Sequence, residues 1–251
     1  MSEAAISAVG LGKQYHLADV SGQRAHAALG QLVRRVLHPG TSQGLGESFW
    51  PVKDCSFSIY PGEMAAVIGR NGAGKSVLLK MLSRITKPTT GRALIRGKLI
   101  SLLEVGSGFH PELSGRDNIF LNGAILGVRR SEMLKKFDEM VAFAGTGRFI
   151  DEPVKHYSSG MYMRLAFSVA THLEADVLLI DEVLAVGDET FRGKCIDRLR
   201  QARDRGAAIL VVSHAMDTLM TLCSRGLFLQ QGRLICDGDI QQAIRLYQEQ
   251  D

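Results

Sequence analysis

The 251-residue chain has few cysteines, a single tryptophan, little net charge and no long apolar run, and each shortage excludes something. Its four cysteines, Cys55, Cys195, Cys223 and Cys236, show no C-x-x-C spacing. Neither a zinc site nor a disulfide framework is expected; they read as small core hydrophobes in a reducing compartment. No segment approaches the roughly 20 apolar residues that cross a bilayer. The first residues lack the basic-then-apolar layout of a secretory signal, so a cytosolic chain with peripheral membrane contact is expected. The net charge of +4 suits an anionic ligand or an acidic membrane face, and is too small to argue for nucleic acid. What remains is ordinary globular composition, 45% hydrophobic and 22% charged, which argues against disorder in a chain long enough to bury a core.

Against that background one motif stands out. Residues 69–76 read Gly-Arg-Asn-Gly-Ala-Gly-Lys-Ser, a complete G-x-x-x-x-G-K-[ST] phosphate loop. The apolar run Met64 to Ile68 precedes it, and Leu78, Met81, Leu82 and Ile85 follow at helical spacing, giving strand, loop, helix. Gly69, Gly72 and Gly74 let backbone N–H groups close on phosphate oxygens without a Cβ in the way. The helix beginning near Lys75 adds the positive end of its dipole. Lys75 would reach the β- and γ-phosphates and Ser76 would ligate Mg²⁺; Arg70, Asn71, Ala73 and Val77 complete the expected nucleotide-binding set.

The rest of the chain alternates strand and helix. Ala5 to Leu11 and Val52 to Tyr60 read as strands, as do Ala93 to Ile95 and Leu99 to Leu103. Leu29, Leu32, Val33, Val36 and Leu37 make a short basic amphipathic helix, stopped by Pro39-Gly40; it suits either a lipid surface or the edge of a sheet. From about Gly108 to Asp151 the pattern is helical, with a stripe of Met133, Leu134, Phe137, Met140, Val141 and Ala144. Helix and strand then resume: Met161 to Leu173, Val177 to Ile180, Asp188 to Arg205, Ala208 to Val212. The expected fold is a single α/β P-loop NTPase domain over 1–251, with core segments 1–107 and 161–251 and a helical lobe over 108–160.

Two further strand ends carry polar residues. Val177 to Ile180 is an unbroken apolar run ending in Asp181 and Glu182. Ligands of open α/β sheets bind at the carboxyl ends of strands. Asp181 would hold Mg²⁺, and Glu182 would polarise a water aimed at the γ-phosphate. The bland alternative for such a pair is a helix cap. Ile209 to Val212 likewise delivers Ser213-His214, and His214 could hydrogen-bond the γ-phosphate. Ser158, Ser159 and Gly160 precede another apolar helix, as either a second anion site or a simple cap.

Phosphate loop, small-residue loop before a helix, Asp-Glu strand end and Ser-His occur in that order, and the order resembles the nucleotide-binding subunits of ATP-binding cassette (ABC) transporters. The stretches Gly108 to Ile119, Tyr157 to Phe167 and Asp181 to Asp188 resemble the ATPases that export lipid-linked polysaccharide: O-antigen, capsule and teichoic acid. This resemblance implies ATP and Mg²⁺ as ligands and a head-to-tail homodimer. Each ATP would lie between one chain's phosphate loop and the partner's signature loop, here Tyr157 to Met161. Ser158 and Gly160 keep the family's key positions; Ser159 and Met161 depart from Leu-Ser-Gly-Gly-Gln. Glu104 stands where most relatives carry a Mg²⁺-contacting glutamine, or is a strand-end carboxylate without a metal role. The adenine would stack on an aromatic before the phosphate loop, Tyr15 at the family position or Trp50 as competitor. Phe109, His110 and Pro111 are the expected permease contact, unless Phe109 only anchors the lobe. A C-terminal carbohydrate-binding domain, carried by some O-antigen exporters, is not expected.

The resemblance therefore implies an ATP-hydrolysing subunit at the cytoplasmic face of the inner membrane, driving a permease that exports lipid-linked polysaccharide, O-antigen first, with no nucleic-acid partner. Two other readings stay open: a soluble cassette ATPase acting on a protein or nucleic-acid machine, and a slowly hydrolysing nucleotide switch.

Overall fold

The computed structural model describes residues 3–16, 48–103, 108–181, 188–213 and 215–249. Glu104, Glu182, His214 and the basic helix expected around 29–37 lie outside the described residues.

Unbroken apolar runs bounded by turns form the parallel strands β3 (Met64–Ile68), β6 (Val177–Asp181) and β7 (Ala208–Val212). With β5 (Leu99–Ser101), β8 (Arg225–Gln230) and β9 (Arg233–Asp239) they make a six-stranded sheet in the order β5-β6-β7-β3-β8-β9. Only the β8–β9 pairing is antiparallel. A second, antiparallel sheet has the order β2-β1-β4, from β1 (Ile6–His16), β2 (Ser48–Ile59) and β4 (Thr90–Ile95).

The two-residue period of the strands divides the core. Ala65 and Val67 of β3, Val177 and Leu179 of β6, and Leu210 and Val212 of β7 face one way. There they pack with the antiparallel sheet and with α1 (Lys75–Leu82) through Leu78, Leu79, Met81 and Leu82. Met64, Ala66, Ile68, Leu178, Ile180, Ile209 and Val211 face the other way. That side carries α2 (Gly115–Ile125), α3 (Arg130–Ala144), α4 (Ser159–His172), α5 (Glu189–Asp204) and α7 (Ile240–Gln248), with α6 (Met216–Leu222) between.

The apolar spacing of α1 extends in sequence to Ile85, but the helix ends at Leu82. Arg84 takes a left-handed φ of 64° and Thr86 N–H returns to the Lys80 carbonyl, which leaves Ile85 exposed. In the helical block, fully buried Asn118 braces the turn before α2. Its amide nitrogen donates to the carbonyls of His110 (3.1 Å), Leu113 (3.0 Å) and Ser114 (2.9 Å), while its oxygen accepts from His110 N–H at 2.6 Å. Phe109 is buried there, edge-on to Tyr162 of α4 at 5.4 Å.

Candidate functional site

The phosphate loop leaves the sheet at the carboxyl end of β3. Gly74 sits at the N-cap of α1 with φ 107°, a conformation that favours glycine, and a Cβ there would run into the Pro51 carbonyl oxygen of β2. A Cβ on Gly69 would approach the Leu229 carbonyl to 2.5 Å. Gly72 differs: its constraint is its positive φ, since a Cβ would meet nothing within 4 Å. The loop's carbonyls are held from behind. Lys75, only 7% exposed, donates from Nζ to the carbonyls of Gly69 (2.7 Å) and Arg70 (3.1 Å). Ala73 N–H donates to the Arg70 carbonyl (3.1 Å), and the Ala73 carbonyl accepts from Gly232 N–H (3.1 Å). Arg70, Asn71, Gly72 and Ser76 are exposed, and Val77 is half-buried. Behind the loop lies a cavity of about 340 Å³ walled by Arg70, Asn71, Gly72 and Ala73 on one side and Leu229, Gln230 and Gln231 on the other.

Asp181 reaches the same edge. It is in register with Val212 of β7, which is in register with Val67 of β3. The carboxylate therefore stands two strand spacings, roughly 10 Å, from the strand that feeds the phosphate loop. Alternation along β6 places Asp181 on the face of Val177 and Leu179, the face α1 covers, and α1 packs against β6. Lys75, Ser76 and Asp181 thus share one sheet edge and one face. A serine hydroxyl and a carboxylate are hard oxygen donors of the kind Mg²⁺ takes. Among the described residues no cluster of three His, Cys, Asp or Glu could hold a metal. Ser76 and Asp181 fit such an ion by the chemistry of their oxygens.

Ser158, Ser159 and Gly160 are placed elsewhere. Ser158 N-caps α4, its hydroxyl accepting from Met161 N–H at 3.2 Å, and both serines are exposed. A Cβ on Gly160 would find only Ser158 Oγ, at 3.9 Å, so the helix start is open. Tyr157 anchors the loop by donating from its hydroxyl to the Phe149 carbonyl at 2.7 Å. Because α4 packs on the sheet face opposite α1, this helix start and the phosphate loop are not brought together within one chain. Arg164, one turn into α4, pairs with Asp188 at 2.8 Å, and Asp188 caps α5 by accepting from Phe191 N–H at 2.8 Å. The first half of α4 and the N-terminus of α5 are thereby tied to each other. The Phe191 amide and the Arg164 charge hold the Asp188 carboxyl below its ordinary range.

The expected aromatics also separate. Tyr15 is half-buried and stacks on Phe49 across β1 and β2, with ring centroids 5.8 Å apart. Trp50 lies against Gly12, whose added Cβ would come within 3.2 Å of the indole. Phe49 was not among the sequence candidates. Its only signal is an aromatic at the start of an alternating strand, in a stretch otherwise rich in Gly, His and Ser.

The comparisons with known proteins agree with this geometry. The family model described as ABC transporter matches residues 52–185, more than half of the chain. The chain is 44% identical over 216 residues to the O-antigen export system ATP-binding protein RfbB of Klebsiella pneumoniae, covering 85% of this chain and 88% of that protein. It is 45% identical over 199 residues to the ABC transporter protein AbcA of Aeromonas salmonicida, covering 79% of this chain and 65% of that protein. The teichoic acids export ATP-binding protein TagH of Listeria monocytogenes is 38% identical over 203 residues, covering 81% of this chain and 60% of that protein. Among solved structures, an ATP binding subunit of an ABC transporter superposes with a TM-score of 0.77 at 21% identity, covering 97% of this chain and 93% of that one. A dimeric ATP-binding cassette bound to ADP and Pi superposes at 0.73 and 18% identity, over 94% of this chain and 98% of that one; both likenesses speak to the fold. The chain belongs to the ABC transporter family, as one of its ATP-hydrolysing subunits with a P-loop α/β fold.

Proposed function

We propose that two copies of this chain, at the cytoplasmic face of the inner membrane, bind two Mg·ATP and drive an integral membrane permease that exports a lipid-linked polysaccharide, O-antigen first among the choices. The observation that carries this reading is the 44% identity, over most of both chains, to a protein named for O-antigen export. The described residues contain no helix long and apolar enough to cross a membrane, which leaves the spanning path to a partner subunit.

The placement of the two loops supports the homodimer. The anion-binding turn of α1 and the open start of α4 lie on opposite faces of one sheet, so a nucleotide touched by both needs a second chain. In such a dimer the loop amides of Gly69 to Ser76, with Val77, hold the phosphates of one ATP. Ser158, Ser159 and Gly160 of the other chain close over the γ-phosphate. Lys75 leaves the Gly69 and Arg70 carbonyls to meet the β- and γ-phosphates. Ser76, Asp181 and Glu104 would hold Mg²⁺, which would supply charge neutralisation to the phosphates. Glu182 orients and deprotonates the attacking water, and His214 hydrogen-bonds the γ-phosphate. Tyr15 belongs to the base subsite. Closure is favoured because ATP binds the closed pair better than the open one, and hydrolysis removes that preference. The lobe over 108–160, with Phe109 to Pro111, passes the movement from the core segments 1–107 and 161–251 to the permease.

The test is reconstitution. Co-expression with the adjacent membrane subunit should yield a complex whose ATPase and glycan export both disappear in Lys75→Ala and fall sharply in Glu182→Gln. Wild-type hydrolysis by Glu182→Gln removes the carboxylate assignment. Full activity without any membrane subunit, and no co-purification with one, removes the export reading.

A further inference from the structure

Between Glu63 and Glu104 the chain carries eight Lys and Arg and no Asp or Glu. Two of these cations, Arg70 and Lys75, belong to the phosphate loop. The others run from α1 through β4, the edge strand of the antiparallel sheet, and just past it. Along β4, Ala93 and Ile95 turn into the core, so Arg92 and Leu94 share the outward face. Val9 of β1 lies directly opposite Arg92. The connection from α1 to β4 follows the same strand. Thr89 N–H donates to the Gly12 carbonyl at 2.8 Å, and the Lys13 ammonium donates to the Lys87 carbonyl at 3.1 Å. Val9, Ile85 and Leu94 are 50%, 52% and 48% exposed. Single exposed apolar side chains are ordinary, but these three are interleaved with cations. Nearby carboxylates cancel only part of the charge. Glu3 takes Arg96 at 3.1 Å, Asp176 accepts the Lys98 N–H at 2.6 Å, and Asp54 lies beside Gly10 from β2, on the other side of β1. Among the described residues, the side chains of Arg84, Lys87 and Arg92 form no ion pair.

We infer that this edge docks on the headgroups of anionic phospholipid, with Arg84, Lys87 and Arg92 as its cations and Val9, Ile85 and Leu94 as its apolar contacts. The inference rests on the membrane placement in the proposed function and adds a lipid contact to it. Aliphatic side chains beside cations gain both apolar burial and attraction to an anionic leaflet. A nucleic-acid strand calls instead for rings on which bases stack, and Val9, Ile85 and Leu94 offer none. Cations also keep an edge strand from pairing with another chain, but that purpose needs no aliphatic side chains between them. Each Lys or Arg held near an anionic leaflet strengthens partition about fivefold.

Co-sedimentation of the full chain with vesicles tests this. At low salt the chain should partition onto vesicles of phosphatidylglycerol mixed with phosphatidylcholine, and not onto phosphatidylcholine alone. Salt at about 1 M should release most of it. Arg84→Gln, Lys87→Gln and Arg92→Gln combined should weaken partition roughly hundredfold. Melting temperature and ATP affinity in solution should stay at wild-type values, which separates a lost lipid contact from lost folding. In a Trp50→Phe background, the indole introduced by Leu94→Trp should shift its emission to the blue on the mixed vesicles and not on phosphatidylcholine. Three results overturn the inference. One is unchanged partition in the triple variant, with the loss confined to Arg34→Gln and Arg35→Gln. The second is an indole at position 94 that keeps its aqueous emission on the bound chain. The third is single-stranded RNA bound more tightly than vesicles and lost in the same triple variant, which makes the partner nucleic acid. A chain that co-purifies with the membrane subunit yet ignores anionic vesicles overturns this inference alone; one that does neither takes the parent reading with it.

Discussion

The N–H of Gly232, at the tip of the β8–β9 hairpin, donates to the carbonyl of Ala73 inside the phosphate loop across 3.1 Å. The Gly232 carbonyl in turn accepts from Lys53 N–H of β2 at 2.7 Å, so three distant segments meet at one residue. A loop that offers its amides to phosphate must turn its carbonyls away, and this bond fixes one of them. Gly232 has φ 78°, and a Cβ there would lie 2.7 Å from the Trp50 carbonyl oxygen and 2.8 Å from that of Pro51. Gly232→Ala should therefore cost about 1–2 kcal/mol of stability from the left-handed backbone alone. It should also weaken ATP by displacing the loop. Thermal unfolding and ATP titration measure the two effects, and an unchanged ATP affinity would show that the hairpin tip does not shape the loop.

Acid sensitivity should trace to His172 at the far end of α4. Its Nδ1–H donates to the Ser168 carbonyl at 2.8 Å, and the ring packs edge-on to Phe143 at 5.1 Å. Burial pushes its pKa down from 6.5 to about 4. Between those values the unfolded chain carries a proton that the folded chain refuses. Stability therefore falls as pH drops through the window from about 6.5 to about 4, and is untouched above it. His172→Gln should flatten this part of the pH profile. Melting curves between pH 7.5 and 4.5 check it, and parallel profiles for the two proteins would remove His172 as the cause.

How legible this was depended on whether the signal was local. The phosphate loop, the Asp181 strand end and the capping serine of α4 are spacings within a dozen residues, and each lands where the spacing implies. The separate antiparallel sheet was not visible: Ile6 pairs with Ile95, and alternation alone does not say which of two sheets a strand joins. The β8–β9–α7 ending, whose hairpin holds Ala73, carries no motif. The helical reading of Ile85 failed because Arg84 adopts a backbone conformation unfavourable to any side chain, which periodicity does not register. Phe49 carries no local motif, and only the register of β1 against β2 sets its ring on Tyr15.

Arg225 should govern stability without touching nucleotide. At the start of β8 its guanidinium meets both Asp237 carboxylate oxygens at 2.6 and 2.7 Å, Glu63 at 2.8 Å and the Ser58 carbonyl at 2.9 Å. Asp237 first, then Glu63, push its pKa up, so it stays charged. It joins both sheets at the amino end of the parallel strands, opposite the phosphate loop. Arg225→Met leaves two carboxylates facing each other and should cost about 2 kcal/mol, below a fully buried pair because all three side chains keep some solvent. Arg225→Lys should recover only part, since an ammonium cannot copy the fork. Urea unfolding gives the cost. ATP affinity should stay at its wild-type value, and a coupled loss of binding would contradict the separation of the two ends.

The proposed division of the site between two chains predicts complementation. Lys75→Ala removes the ammonium from the phosphate loop and leaves the start of α4 intact. Gly160→Asp does the reverse, placing a carboxylate at a helix start that now has open space around it. Each homodimer should be inactive. A mixed dimer contains one composite site built from the Gly160→Asp chain's phosphate loop and the Lys75→Ala chain's α4, with both parts unaltered. Statistical mixing makes half of the dimers mixed, each with one working site of two, so activity should return to about a quarter of wild type if the sites act independently. Activity that stays at zero in a verified mixture means either that both sites must fire together or that α4 never meets the partner's nucleotide. Crosslinking a cysteine introduced at position 158 to one at position 72 of the partner, with and without ATP, separates those two: coupling only with ATP keeps the shared site, and none under any condition ends it.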